Sequence, residues 1–322
     1  MRIKRFFVCT GLLVSHLIVG LLVAIYGKSG NDGMRSNNLP SCSFKSPIIH
    51  IRTEREVEGG GGAHNKRIVF VITPTYKRLT QKVDLLTLCH SLSLSRAQVK
   101  WIVVEDSKNP TPLVSNFLSL CPVSSVHLSV RTPHKKPKLW WFQKIFVKRS
   151  SWRHRGIDQR NMALQWLRDK YSTQNCHEGI VYFADDDNRY HYRLFDTISK
   201  TVKISVWPVG FVGGILYEGP VCYNNTVTKW KSWAVNYDPE RSFPIDMAGF
   251  AINLCQLLEK PLANFNNSWS RGQLETEFLH QFVTSKEELE CRGSDKEVHV
   301  WHVKTAKPSI SKSHQLQHFL ET

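Results

Sequence analysis

The chain predicts an α/β domain built on a mostly parallel sheet, and three observations predict it. Short apolar runs end abruptly in polar clusters, stretches with apolar residues at helical spacing lie between them, and the triplet Asp185-Asp186-Asp187 closes the third run. Buried strands alternating with amphipathic helices favour parallel pairing, and such sheets bind ligands beyond the carboxyl ends of their strands.

The N-terminus sets the compartment. Residues 1–5 carry Arg2, Lys4 and Arg5 and read as a cytoplasmic tail, and residues 6–26 follow without a formal charge. At about 1.5 Å per residue that run crosses a bilayer core of roughly 30 Å. With the basic residues before the span, the bulk of the chain enters the secretory lumen. The run reads as a transmembrane signal anchor; a cleaved signal peptide is the alternative, and no small-residue cleavage site stands out. Residues 27–66, with Gly59 to Gly62 and few apolar residues, read as a stem.

Of eight cysteines, Cys9 lies in the span and seven face the lumen, where disulfides persist. An odd number leaves one over. Cys42, just outside the membrane, is the candidate for pairing with a second chain in a homodimer. Asn224-Asn225-Thr226 and Asn266-Asn267-Ser268 are glycosylation sequons, with Asn224 and Asn266 the acceptors.

From Arg67 onward the elements alternate. Ile68 to Ile72 is a strand ending at Thr73-Pro74-Thr75-Tyr76, Trp101 to Val104 ends at Glu105-Asp106, and Ile180 to Ala184 ends at the aspartates. Leu85, Leu88, Cys89 and Leu92, and then Ile157, Leu164, Leu167 and Tyr171, recur at helical spacing between them. Neither Gly-x-Gly-x-x-Gly nor Gly-Lys-Ser/Thr is present, which disfavours dinucleotide-binding and P-loop enzymes.

Three adjacent carboxylates repel one another unless a cation neutralises them, so a hard divalent metal suits the triplet; a solvated turn or calcium loop is the alternative. The net charge is +16, and the window from Arg131 to Arg160 holds ten Lys and Arg against Asp158 alone. A luminal chain meets no nucleic acid in bulk, so the anions it suits are a nucleotide diphosphate, an acidic sugar or a polyanionic glycan; for most of these lysines an ordinary solvated basic loop is the alternative. Arg155 and Arg160 flank a helix start, where free amides and the helix dipole already favour an anion.

Several motifs, in order, resemble the β-1,3-glucuronyltransferases. They are Thr73 to Arg78, Val104-Glu105-Asp106 with Pro110 to Leu113, Arg155-Gly156 to Arg160-Asn161, Phe183 to Asn188, Val206 to Gly210, Tyr217 to Pro220, Phe243 to Phe250 and Trp301 to Thr305. The resemblance runs from about residue 67 to about 308 and implies a GT-A type, Rossmann-like fold, with a donor subdomain over 67–187 and an acceptor subdomain over 188–322 sharing a cleft. It also implies manganese, UDP-glucuronic acid as donor, a galactose-terminated glycan as acceptor and a type II Golgi membrane protein.

By similarity, Pro74, Thr75, Tyr76 and Asp106 hold the uridine end, Asp185 and Asp186 lie against the ribose, and Asp187 binds the metal. Arg155 and Arg160 meet the diphosphate or the glucuronate carboxylate, and His302, Val303 and Lys304 close over the donor. Glu275, in Arg271-Gly272-Gln273-Leu274-Glu275, matches the base, and Glu218, Trp233, Arg241 and Asp246 match the acceptor pocket. Read without the resemblance, Glu275 and Glu277 are solvated residues on a first helical turn, and His302 is a surface or strand residue. Lys304 departs from the family's usual arginine and loses bidentate geometry. The basic stretch from Lys135 to Arg153 is longer than the family pattern. The reaction implied is inverting transfer to the galactose 3-hydroxyl in the proteoglycan Gal-Gal-Xyl linkage region or a related galactoside. A luminal glycan-binding protein without catalysis is the alternative, disfavoured because Asp187 and Glu275 are both present.

N-terminal sequencing of the mature protein tests the anchor. Met1 to Tyr26 should be retained, and a start between Gly27 and Asn38 would show a cleaved signal peptide instead.

Overall fold

The computed structural model describes residues 67–133, 154–176, 178–233, 241–270, 272–293 and 297–309, all within one compact unit, Ser46–Thr322. The anchor, the stem, Cys42 and the basic stretch 135–153 lie outside the described residues.

The first half alternates as its apolar spacing predicts. β1 (Ile68–Thr75) leads to α1 (Gln81–Ser93), β2 (Gln98–Glu105) to α2 (Pro112–Leu120), and β3 (Ser125–Ser129) precedes α3 (Ile157–Lys170) and β4 (Gly179–Phe183). Pro112 stands in the first turn of its helix, where the missing N–H has no intrahelical partner to lose. β3, β2, β1 and β4 lie side by side in parallel. Ile72 is opposite Phe183, so the aspartates that follow β4 come level with the last residues of β1.

The second half pairs differently. It comprises β5 (Arg189–Tyr190), α4 (Arg193–Ile198), β6 (Ile204–Val206), β7 (Val209–Gly210), β8 (Tyr217–Tyr223), β9 (Thr226–Lys231), β10 (Phe250–Asn253), α5 (Leu254–Glu259), α6 (Leu274–Leu279), β11 (Glu290–Cys291) and β12 (Val300–Trp301). Among the described residues the sheet order is β3-β2-β1-β4-β10-β6-β11-β9-β8-β7-β12-β5. β10 runs antiparallel to β4 and β6, and β8 antiparallel to β7 and β9.

The expected mostly parallel sheet is therefore corrected to a mixed one. Parallel neighbours need a long crossover, and helical crossovers of that kind link the first four strands. β8 and β9 are instead joined by Asn224-Asn225, with φ of 48° and 61°, a left-handed two-residue turn that enforces a hairpin. Asn224 is exposed at its tip; Asn266 is also exposed, with its side-chain oxygen accepting from the Ser268 amide at 2.9 Å.

Both faces of the sheet are covered, which is why its strands read as unbroken apolar runs. Phe70 and Ile72 of β1 join Leu164, Phe183, Phe250 and Phe278 on one face, while Val69 and Val71 join Leu85, Trp101, Tyr182 and Trp207 on the other. Phe183 meets Phe265 and Phe278 edge-on at 5.2 and 5.6 Å, and those two stack at 4.0 Å.

Disulfides join Cys89 to Cys121, Cys176 to Cys255 and Cys222 to Cys291. The second ties the segment before β4 to α5, and so couples the parallel and antiparallel parts across 79 residues. Replacing Cys176 and Cys255 by alanine should lower unfolding free energy by about 2–5 kcal/mol without abolishing the fold. Chemical denaturation checks this, and an unchanged midpoint would show that β10 pairing alone holds the two parts.

Candidate active site

The aspartates that follow β4 have three different fates. Asp186 is buried against the end of β1, where it accepts from the Thr75 hydroxyl at 2.6 Å and pairs with Arg78 at 2.7 Å. Gln81 donates to the same hydroxyl at 3.1 Å and thereby fixes its direction. Burial pushes the Asp186 carboxyl up against the pull of Arg78. Asp185 pairs with Arg160. The Asp187 carboxylate receives no described hydrogen bond or ion pair from another side chain, and burial and the charge of Asp185 raise its pKa.

Arg160 reaches Asp185 because of Gly156. This residue caps α3 with φ of 78°, and a Cβ there would stand 2.6 Å from an Arg160 guanidinium nitrogen and 3.3 Å from Pro74. The same guanidinium donates to the Arg155 carbonyl at 3.2 Å, while its Nε is buried without a partner. An orphaned buried donor costs about 1–3 kcal/mol, so a ligand oxygen there would recover that loss.

Tyr76 forms an exposed platform with the Arg78 and Arg155 guanidinium groups 4.7 and 5.5 Å from its ring centre. Asp106 is half-buried, and its two oxygens accept from the Thr132 amide and hydroxyl at 2.8 and 2.9 Å.

A second polar cluster lies on the antiparallel side. Asp246 caps the short turn Met247–Gly249, accepting from the Ala248 amide at 2.9 Å, and pairs with His302 Nδ1 at 2.9 Å. The buried Tyr182 hydroxyl and Trp207 indole both donate to the Ala248 carbonyl, which fixes that turn. Arg241 donates to the Thr276 hydroxyl at 2.9 Å and pairs with Glu275 at 3.4 Å. Glu218 is 2% exposed and accepts from Ser232. Trp233 lies directly on Gly213, whose φ is 57° and where a Cβ would fall 2.0 Å from the indole.

Burial, then the charge of Asp246, raises Glu275 to about 7 against Arg241 and Arg160; burial likewise raises Glu218 to about 7. The Glu275 side chain keeps 17% exposure, so it is not the solvated residue that its helix position alone suggests, yet it is open to a ligand. The Asp246 hydrogen bond raises His302 to about 9, and Asp185 and Asp187 add to this.

The two clusters are physically joined. Asn161 on α3 exchanges hydrogen bonds of 2.9 Å with both backbone groups of Phe265, on the approach to α6. Arg160 and Glu275 are thus carried on neighbouring elements. From the C-terminal segment, the Val303 amide donates to Asn188 Oδ1 at 3.3 Å, and Lys304 is exposed.

The motif reading gave no role to Asp84, Arg78, Arg189 or Thr305, which the structure brings together beside the triplet. One signal was available. Asp84 shares the buried face of α1 with Leu85, Leu88 and Leu92, and a carboxylate at a core position demands a partner.

Residues 88–306 match the model of glycosyltransferase family 43. Human galactosylgalactosylxylosylprotein 3-beta-glucuronosyltransferase 3 is 41% identical over 259 residues, covering 77% of this chain and 74% of that protein. Mouse galactosylgalactosylxylosylprotein 3-beta-glucuronosyltransferase 2 is 40% identical over 247 residues, covering 76% and 70%. Among solved structures, S. aureus TarS 1-349 in complex with UDP-GlcNAc has 12% identity and a TM-score of 0.45 over 77% of this chain and 61% of that one, too loose a likeness to argue from.

His302 should titrate well above its ordinary 6.5, near 9, and Asp246→Asn should bring it back down. A histidine raised in the folded state contributes stability that is complete below about pH 6.5 and disappears as pH rises through about 9. NMR titration of the His302 ring checks both, and an unshifted ring in the parent protein would mean that the pair is not held in solution.

Proposed function

The chain belongs to glycosyltransferase family 43, and from that premise we propose that it transfers glucuronic acid from UDP-glucuronic acid to the 3-hydroxyl of a terminal β-galactose, with inversion. Its relatives are named for action on galactosylgalactosylxylosylprotein, and the same linkage-region acceptor is proposed here. The observation that carries this reading is Glu275, a partly open carboxylate with a pKa of about 7, one helix away from an arginine bound to the aspartate triplet.

The geometry supports each proposed role. A general base works best with its pKa near the operating pH, and Glu275 meets that condition. It takes the proton as the galactose oxygen attacks the anomeric carbon from the face opposite the leaving UDP. Glu218 has a similar pKa but is closed off beside Ser232, so it orients acceptor hydroxyls through the pocket it shares with Arg241. Trp233 supplies the apolar face for the sugar. Tyr76 stacks the uracil between cationic neighbours, and Asp106 shapes the loop that meets the base. Protonated His302 and the open Nε edge of Arg160 add positive charge where the leaving diphosphate gains negative charge.

Asp187 fits a divalent cation such as manganese: it is the triplet carboxylate without an arginine, and its raised pKa reflects crowding that a cation would relieve. Among the described residues no group of three or more His, Cys, Asp or Glu could hold an ion alone, so phosphate oxygens and water must complete the shell. When bound, the ion would neutralise charge on the departing UDP. A GT-A architecture, with residues 67–187 on the donor side and 188–322 on the acceptor side, belongs to the same reading. So do the Golgi membrane anchor, the Cys42-linked homodimer and glycans on Asn224 and Asn266.

Glu275→Gln should lower turnover about 10²- to 10⁴-fold while UDP binding survives. In the parent protein the rate should rise with pH through about 7, as the carboxyl loses its proton, and the variant should lose that limb. Asp187→Asn should instead remove manganese-dependent transfer. Radiolabelled UDP-glucuronic acid with a galactoside and manganese measures all three; near-normal turnover in Glu275→Gln would exclude it as the base.

A further inference from the structure

Asp84 stands outside every motif quoted above, yet it is the most connected carboxylate beside the site. It lies on α1 with 0% exposure and takes three cationic or hydroxyl partners from three parts of the chain. Arg78, from the loop after β1, reaches it at 3.0 Å, Arg189 of β5 at 3.4 Å, and the Thr305 hydroxyl donates to it at 2.5 Å across 221 residues. Arg189 also donates to Thr305 at 3.0 Å and to the Asp187 and Asn188 carbonyls at 2.9 and 3.0 Å. Arg78 holds Asp186 at 2.7 Å with the same nitrogen.

Each partner governs a different wall of the site. Through Arg78 the network sets Asp186; through Arg189 it sets the backbone that carries Asp187; through Thr305 it anchors the segment bearing His302 and Lys304. We propose that Asp84 is a positioning residue for donor binding, which locks the C-terminal segment 302–305 against the aspartate loop so that both face one nucleotide diphosphate. This rests on the transferase reading above, because it is that reading which places a diphosphate there. Asp84 itself, fully enclosed, touches no ligand.

The mechanism is mechanical as well as electrostatic. Apart from Asp84, the described ties of the segment after β12 are few: the His302 amide to the Gly210 carbonyl at 2.8 Å, Val303 to Asn188, His302 to Asp246, and Thr305 to Arg189. Loss of the Asp84 contact leaves Lys304 on a segment secured only on its N-terminal side and through the Arg189–Thr305 hydrogen bond. A segment that must be ordered anew for each donor molecule weakens binding by that ordering cost and leaves the chemical step largely alone.

The test compares Asp84→Asn, Thr305→Val and the double variant in the full chain. Asp84→Asn should raise the UDP-glucuronic acid KM about tenfold or more, with kcat altered much less, and Thr305→Val should raise it about threefold. The double variant should fall short of the product of the two single effects, because both variants break the Asp84–Thr305 contact, while Thr305→Val also removes the Arg189 hydrogen bond. UDP binding by calorimetry should follow the same order without needing the sugar or acceptor to be right. Hydrogen exchange across residues 300–309 should quicken in both single variants, a readout independent of any activity. If Asp84→Asn does not fold, Thr305→Val, altering a half-exposed side chain, still decides the matter. Unchanged exchange in that segment, or Thr305→Val with parental UDP affinity, overturns the proposal. A parent protein that binds UDP but transfers no glucuronic acid overturns the transferase reading instead, and the exchange and calorimetric arms still stand.

Discussion

Four carboxylates crowded at the ends of β1 and β4 are the constraint on which the rest of the site depends. Asp84, Asp185, Asp186 and Asp187 cannot all be charged in a half-dry space without counterions. The chain answers with Arg78 for Asp186 and Asp84, Arg160 for Asp185, and Arg189 for Asp84. One carboxylate is left over, and the pocket is therefore selective for whatever brings positive charge to Asp187. The proposed nucleotide diphosphate, arriving with a divalent ion, would supply that charge and find cations for its own oxygens.

The same arrangement links the two polar clusters of the site. Arg160 lowers Glu275 while holding Asp185, and His302 is raised by Asp246 on one side and by Asp185 and Asp187 on the other. Charge changes at the aspartate triplet therefore reach Glu275 over a short path. Neutralising the triplet weakens the field that keeps His302 protonated. Glu275 and Asp246 behave with the aspartate triplet as one electrostatic unit, although they lie on opposite halves of the sequence.

Much of this was legible beforehand, for identifiable reasons. The runs before Thr73, Glu105 and Asp185 are doubly buried strands, and such strands declare themselves as unbroken apolar segments. Leu85, Leu88 and Leu92 marked α1, and Gly156 marked the start of α3. The antiparallel half was opaque because strands such as β5, β7, β11 and β12 are two residues long, below any periodicity. Asp84 went unread because its partners lie up to 221 residues away, and only the tertiary fold reveals them. Glu275 is visible through its motif; its local context points to solvent, and what raises its pKa, burial and then the charge of Asp246, is supplied only by the tertiary fold.

The bond pattern of the second and third disulfides has a consequence for how the chain matures. Cys89 closes on the next cysteine in line, but the brackets 176–255 and 222–291 interleave. A chain emerging from its N-terminus presents Cys176 and Cys222 together before either correct mate exists. The first oxidation open to them is a wrong one, and any such bond would have to be undone by thiolate exchange before Cys176 could join Cys255. Wherever this chain oxidises as it emerges, a Cys176–Cys222 bond would have to be reshuffled, a slow step that catalysed thiol–disulfide exchange would shorten.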